Sequence, residues 1–474
     1  MTEHILDMAA PPDVYRQRRA RLASHLVRPL VIFAGRTRTR NPANDYPFRA
    51  ASTYLYFGGP PIQGAAWLIQ PDGHGDDAGI LIRPQADPDD ALWMGEPPPD
   101  ELLASVAGLD RSAVAGPDQL HQALAGRSAT SICPPCPSAM QWAASLGLEP
   151  AGPEEFLPII DMRLIKDRHE LEAMRRAAEV SVIAHQVAMM NTVPHEPEAL
   201  VAACFRSVLD ANQCAPSFSP IVTVRGAILH CTAYNNIMKP GHLLLIDGGA
   251  EEPGGYACDI TRVCPVSGEF TPIQKHIYQI VLRAERAAVA ECVPGRRYRD
   301  VHDLAARVIC EGLVQAELLR GDAQELADRR AHALFFPHGV GHLIGLDVHD
   351  MEDYGDIAGY SDGRRRRPGF GDKFLRLDRD LKAGMTVTIE PGIYFVPAVW
   401  QRDDLVKPFA DCVNRPAVDA LLRDNFGGIR LEDTVHVTNT GGPEVLTKTL
   451  PIEADAVASI VRAQDKWEIR EPHG

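Results

Sequence analysis

No apolar run in the chain approaches the ~18–20 residues that a membrane-spanning helix needs. The opening MTEHILDMAAPPDVYRQRRA has no apolar h-region, so export by the general secretory route is not expected. Basic residues are the minority charge, 48 Lys and Arg against 63 Asp and Glu. A net charge of −15 speaks against nucleic acid or anionic membranes as partners. The ten cysteines are scattered through 474 residues without the spacing of a disulfide framework, which suits reduced, mostly buried thiols. Cys133 and Cys136 form a CPPC, but no second Cys or Cys/His pair completes a zinc site, and the prolines mark a loop. No short repeat or low-complexity tract is present. What remains is the expectation of a cytoplasmic enzyme with enough apolar content, 45%, for two sizeable cores.

Acids in apolar settings stand out against that background. Leu243-Leu244-Leu245-Ile246 delivers Asp247 at the end of a predicted strand, and Gly254-Gly255 turns the chain back through a second strand that carries Asp259. MTVTIEPGIYF and GGIRLEDTVHV read as alternating strands, each with one acid, Glu390 or Glu432, in an otherwise apolar stretch. Between them FFPHGVGHLIGLDVHD supplies His338, His342 and His349 from a glycine-rich segment that lets backbone approach a ligand closely. A buried ionised carboxylate costs several kcal/mol unless it is paired or binds a metal. Four such acids therefore point to a cation. Four carboxylates and one imidazole make a hard, oxygen-rich set that favours Mn, with Co, Zn or Fe as alternatives, over a thiolate zinc site.

The order Asp, Asp, His, Glu, Glu, set in DGG, DITR, HGxGHxxGLDVHD, TIEPGIYF and GIRLED, resembles the M24 metallopeptidases in their Xaa-Pro dipeptidase (prolidase) and aminopeptidase P branch, over about Arg163 to Val445. The resemblance implies an α+β architecture: a pita-bread catalytic domain over 161–474 behind a smaller creatinase/aminopeptidase P-type α/β domain over 1–160, assembled as a homodimer. It implies two divalent ions, bridged by Asp259 and Glu432, with Asp247 on one and His342 with Glu390 on the other. Such a pair lowers the pKa of a bridging water and clamps the developing oxyanion. Glu390 is then also the general base that carries the water proton to the leaving nitrogen. His349 would donate to the tetrahedral intermediate, and His230 in AILHCTAYN matches a second catalytic pocket histidine. His338, Arg376 and Arg430 complete the expected substrate-binding set. Arg376 matches an arginine that takes a dipeptide's C-terminal carboxylate, which a forked guanidinium suits. Arg430, two residues before Glu432 and on the same strand face, also suits orienting the acidic ligands.

Three readings follow. Xaa-Pro dipeptidase leads, with Xaa-Pro aminopeptidase on longer peptides as its nearest alternative. A hydrolase of another bond, such as an organophosphate ester, is second, and a non-catalytic binding protein is third, disfavoured by the intact set of five ligands. Proline-containing short peptides are the expected partners. The sequence also departs from the family. TVRGAIL runs without the longer glycine- and asparagine-containing loop into His230, Cys231 and Phe218 stand where tyrosines are common, and Ala50-Ala51 replace a segment that often holds an acid. The Asp247-to-Asp259 hairpin is one residue longer than usual, which predicts a bulge in its turn. The basic run Arg364-Arg365-Arg366-Arg367 reads as a solvated loop that, at a pocket mouth, would draw carboxylates inward. Helices are expected over Lys166 to Met190, near Pro272–Cys292 and near Tyr298–Leu318, with strands dominating the rest.

Overall fold

The computed structural model describes residues 8–41, 44–71, 73, 79–85, 90–361 and 363–463. These divide into two compact units: one holds the described residues up to Leu164 together with Pro253–Gly255, the other Ile165–Glu252 and the chain from Tyr256 onward. No helix among the described residues is long and apolar enough to cross a membrane.

The first unit is built on a six-stranded mixed sheet. Its central strand Leu30–Phe33, LVIF, is buried along its whole length, as an apolar run covered on both faces must be. It pairs antiparallel with Ala66–Ile69 and parallel with Thr130–Ile132. Val31, Phe33, Leu68 and Ile82 pack with Leu120, Ala139 and Ala143 into one core. Cys133 and Cys136 lie free in the loop between Thr130–Ile132 and the helix Pro137–Ser145, which accords with the loop expected there.

The second unit wraps helices around short antiparallel ladders. The helix Arg168–Met190 begins where Asp167 caps it, accepting from the backbone of His169 and Glu170 while the Glu170 side chain returns to the Asp167 N–H. Its inward face is mostly small, with Ala173, Ala177, Ala178, Ala184 and Ala188 buried beside Met174 and Val182, and this lets it lie close on the strands. His185 from that face reaches the carbonyl of Ile260, the residue after Asp259. The helices Pro272–Ala290 and Tyr298–Gln315 occupy the expected positions, each ending two or three residues early because the last turn gives way to connecting loop.

Two ladders position the acids. Ile221–Thr223, Leu243–Gly248 and Ile260–Pro265 form one antiparallel sheet, and its register runs from Leu243↔Pro265 to Gly248↔Ile260. The same register continues to the bridge Glu251↔Ala257, so the ladder runs without a bulge, and the turn beyond it holds Gly255 at φ 93°, the left-handed glycine of a bulged three-residue turn. At the tip the Glu252 N–H bonds to the Tyr256 carbonyl. In the second ladder Thr386–Ile389 pairs with Asp433–His436, and Gly392–Tyr394 pairs with Gly428–Arg430. Ile389↔Asp433 and Gly392↔Arg430 share one register, which places Glu390 opposite Glu432. The gap between the two pairings falls at Pro391, which has no N–H to give. A bridge between Thr261 and Glu432 ties this ladder to the first.

Candidate metal centre

Register explains why the acids converge. Asp247 lies directly opposite Thr261, and residues opposite each other on antiparallel strands project to the same face. Asp259, two residues before Thr261, shares that face, and the Thr261↔Glu432 bridge brings Glu432 and its neighbour Glu390 to it. Glycine makes room: a Cβ on Gly249 would meet the Cys258 carbonyl well inside contact distance, so the DGG motif is what lets the hairpin close behind Asp247.

Asp259, His342 and Glu432 are buried, and each offers one ligand atom within 4.8 Å of the others. His342 Nε2 lies 3.5 Å from Asp259 Oδ2 and 3.7 Å from Glu390 Oε1. Its Nδ1–H donates to the Leu343 carbonyl at 3.0 Å, so in the neutral ring the free lone pair sits on Nε2 and points at the carboxylates. A lone pair facing two carboxylates is repelled unless a proton or a metal cation lies between them. Buried oxygens fit a cation there: Asp247 Oδ1, Asp259 Oδ1 and Glu432 Oε1 have no hydrogen-bond donor among the described residues.

Electrostatics agree. Burial pushes the Asp259 carboxyl up to about 7, with Asp247 and Glu390 adding to the effect and His342 opposing it. Glu432 is raised well above the carboxylate range by burial and then by Asp259, Glu390 and Asp247. Glu390 is raised by burial against the opposing pull of His342 and Arg430. Burial disfavours charge on His342, but Asp259 and Glu390 outweigh it and hold its pKa up. A divalent ion at the centre is the counter-charge that would keep these acids ionised. The donor set fits one.

Around the acids lies a network that sequence reasoning caught only in part. Arg430 is buried, and its guanidinium bonds to Asp247 Oδ2, to Tyr394 Oη at 3.0 Å and, through Nε, to Thr261 Oγ1 at 3.0 Å. Nε, Nη1 and Nη2 each have a protein partner, which suits the expected role of Arg430 in orienting the acids. Thr261 in turn donates to Glu432 Oε2 at 2.6 Å. Tyr394 Oη lies 2.9 Å from His338 Nε2, and His338 Nδ1 donates to the Gly339 carbonyl. His338 is held neutral, its pKa pushed down to about 3 by burial and by Arg430, so Tyr394 is the donor in their bond. Thr261 and Tyr394 were legible only as alternating strand residues, in DITR and EPGIYF. Arg430→Gln is expected to weaken divalent-metal affinity about 10- to 100-fold, measured by metal titration, because Asp247 loses its orienting cation. Unchanged affinity would show that Asp247 is placed by its strand alone.

The remaining expected residues border this cluster. His349 is partly exposed, its ring centroid 4.3 Å from that of His342, and its pKa lies far below the usual range through burial and the fields of His342, Arg376 and His230. His230 is exposed. Its shortened loop is held at both ends by one buried carboxylate: Glu198 accepts from Val224 N at 2.6 Å and from Asn236 N and Nδ2 at 3.1 and 2.8 Å. Arg376 is not an open anchor, since its Nη1 lies 2.9 and 2.6 Å from the two oxygens of Glu352. In the basic run, Arg364 pairs with Asp380 and Arg366 with Asp356, so neither offers an uncompensated charge.

Residues 172–439 match the profile of Metallopeptidase family M24. The chain belongs to that family. Residues 15–132 match the profile of the Aminopeptidase P, N-terminal domain, which places this M24 protein in the aminopeptidase P branch with that branch's two-domain fold and pita-bread catalytic domain. It is 30% identical to the Xaa-Pro aminopeptidase of Haemophilus influenzae over 472 residues, covering 95% of this chain and 97% of the relative. It is 32% identical to a probable Xaa-Pro aminopeptidase of Metarhizium acridum, over 83% of this chain and 77% of that one. Among solved structures, zinc-substituted Escherichia coli aminopeptidase P in complex with product superposes with a TM-score of 0.79 at 28% identity, over 96% of this chain and 99% of the other.

Proposed function

We propose that this M24 protein is a divalent-metal-dependent Xaa-Pro aminopeptidase that removes the first residue from peptides with proline second, and that it prefers peptides longer than two residues. The observation that carries the reading is the Asp259, His342 and Glu432 cluster, with orphaned acid oxygens and the His342 Nε2 lone pair turned to one point. Asp247 and Glu390 complete a donor set suited to two ions, Mn foremost. The names of the relatives support the aminopeptidase alternative over the dipeptidase favoured from sequence. The Glu352–Arg376 pair supports it too, because a dipeptide's carboxylate would have to displace Glu352.

When bound here, divalent metal lowers the pKa of water toward neutrality and polarises the scissile carbonyl. The protein's own groups do the rest. Glu390 takes the water proton and delivers it to the proline nitrogen, which has no hydrogen of its own and must gain one to leave. His349, kept neutral, offers an N–H to the developing oxyanion, and His230 is the second catalytic histidine. The chain from Arg430 through Tyr394 holds His338 in a single tautomer.

Metal-stripped protein is expected to cleave neither Xaa-Pro dipeptides nor Xaa-Pro-Yaa tripeptides. Adding Mn²⁺ is expected to restore cleavage, with kcat/KM higher for tripeptides. Cleavage of dipeptides alone would return the assignment to prolidase. Loss of all cleavage with metal bound would overturn the peptidase reading.

A further inference from the structure

Glu352 lies three residues beyond His349, in a turn that holds it firmly. Met351 before it adopts φ 64°, in the left-handed region, and Gly355 after it φ 79°. The Glu352 N–H reaches the His349 carbonyl, and the Asp350 N–H bonds to the Leu343 carbonyl at 2.9 Å, so the turn is tied to the segment carrying His342. From there the Glu352 carboxylate makes two contacts: Oε2 lies 3.6 Å from His349 Nδ1, and both oxygens engage Arg376 Nη1. The three side chains are 38%, 39% and 37% exposed, so the trio faces solvent rather than the core.

Arg376 is linked to the centre by contacts: it pairs with Glu352, Glu352 Oε2 lies 3.6 Å from His349 Nδ1, and the His349 ring centroid lies 4.3 Å from that of His342. A guanidinium there would attract the C-terminal carboxylate of a bound dipeptide, which lies nearer the scissile bond than that of any longer peptide. A cavity of about 90 Å³ lies alongside, lined by Glu352, Asp356, Arg366 and Arg376 among others. Arg366 is paired with Asp356 as Arg376 is with Glu352, so this wall is charge-balanced.

We propose that Glu352 is a specificity-determining residue: by occupying Arg376 beside His349 it withdraws the carboxylate anchor and selects against peptides whose C-terminus directly follows the scissile bond. This rests on the aminopeptidase reading above and adds the residue that enforces it. A substrate carboxylate gains nothing by exchanging with the one already on Arg376, and the displaced Glu352 would remain nearby as a like charge. A longer peptide, whose proline carbonyl continues as a neutral amide, meets no such penalty.

The test compares Glu352→Gln with the parent protein in two ways. With Mn²⁺ present, the dipeptide-to-tripeptide ratio of kcat/KM is expected to rise about tenfold or more in Glu352→Gln, mainly through a lower KM for the dipeptide. The gain should vanish in the double variant Glu352→Gln/Arg376→Gln. Independently of turnover, calorimetric titration with free proline should show about tenfold tighter binding to Glu352→Gln, and titration with prolinamide should not. If the parent cleaves no Xaa-Pro peptide, the functional reading fails while the proline titration still decides the role of Glu352. An unchanged ratio with unchanged proline affinity, or equal gains for proline and prolinamide, would overturn the proposal.

Discussion

Glu390→Gln is expected to lower kcat by about 10³-fold or more, near the upper part of the range for loss of a general base. The amide keeps the shape of the side chain and one oxygen but takes up no proton at working pH. Glu390 faces the cluster from opposite Glu432, with Oε1 3.7 Å from His342 Nε2 and Oε2 3.8 Å from His338 Nδ1. The measurement is single-turnover hydrolysis of an Xaa-Pro-Yaa tripeptide by protein whose metal content has been determined. A variant that binds metal normally yet loses only a few-fold in rate would leave Glu390 as a ligand and move the proton-carrying role elsewhere.

The second large effect is structural. Gly341→Ala is expected to destabilise the fold by about 3 kcal/mol and to cost most of the metal affinity. A Cβ at this position would collide with the Thr388 carbonyl oxygen and the Tyr298 hydroxyl. Those two groups are hydrogen-bonded to each other at 2.7 Å, and neither can retreat without exposing a buried polar atom. His342, next in sequence, donates its N–H to Thr388 Oγ1 and accepts from the Thr388 N–H, so displacement of Thr388 moves the ligand directly. Denaturant midpoints with and without metal would check this. A midpoint shift equal in both conditions would mean that the strain is absorbed away from His342.

The acids were legible in the sequence because each interrupts an apolar strand, where an uncompensated charge is too costly to be accidental. His342 was legible from its glycine-rich setting, which the close approach of Gly341 to Thr388 explains. The helix Arg168–Met190 followed from apolar spacing and an acidic start, and Asp167 with Glu170 is that start made concrete. Relations between distant residues were not legible. The partner of Arg376 lies 24 positions away in a turn whose geometry depends on left-handed Met351, so its pairing with Glu352 left no local trace. The same holds for Arg430: its place on the face of Glu432 follows from a period of two, but its commitment to Tyr394 and Thr261 depends on how two ladders meet.

The hydroxyl of Thr261 bonds to Glu432 across 171 positions of chain. A contact that remote closes late, after the entropy of the intervening loop has been met by other parts of the molecule. The centre is therefore a product of folding and not its nucleus. An ion that binds only the finished site leaves the refolding rate nearly untouched and acts by slowing the opening of the native state, which makes the metal a determinant of how long each molecule lasts once made.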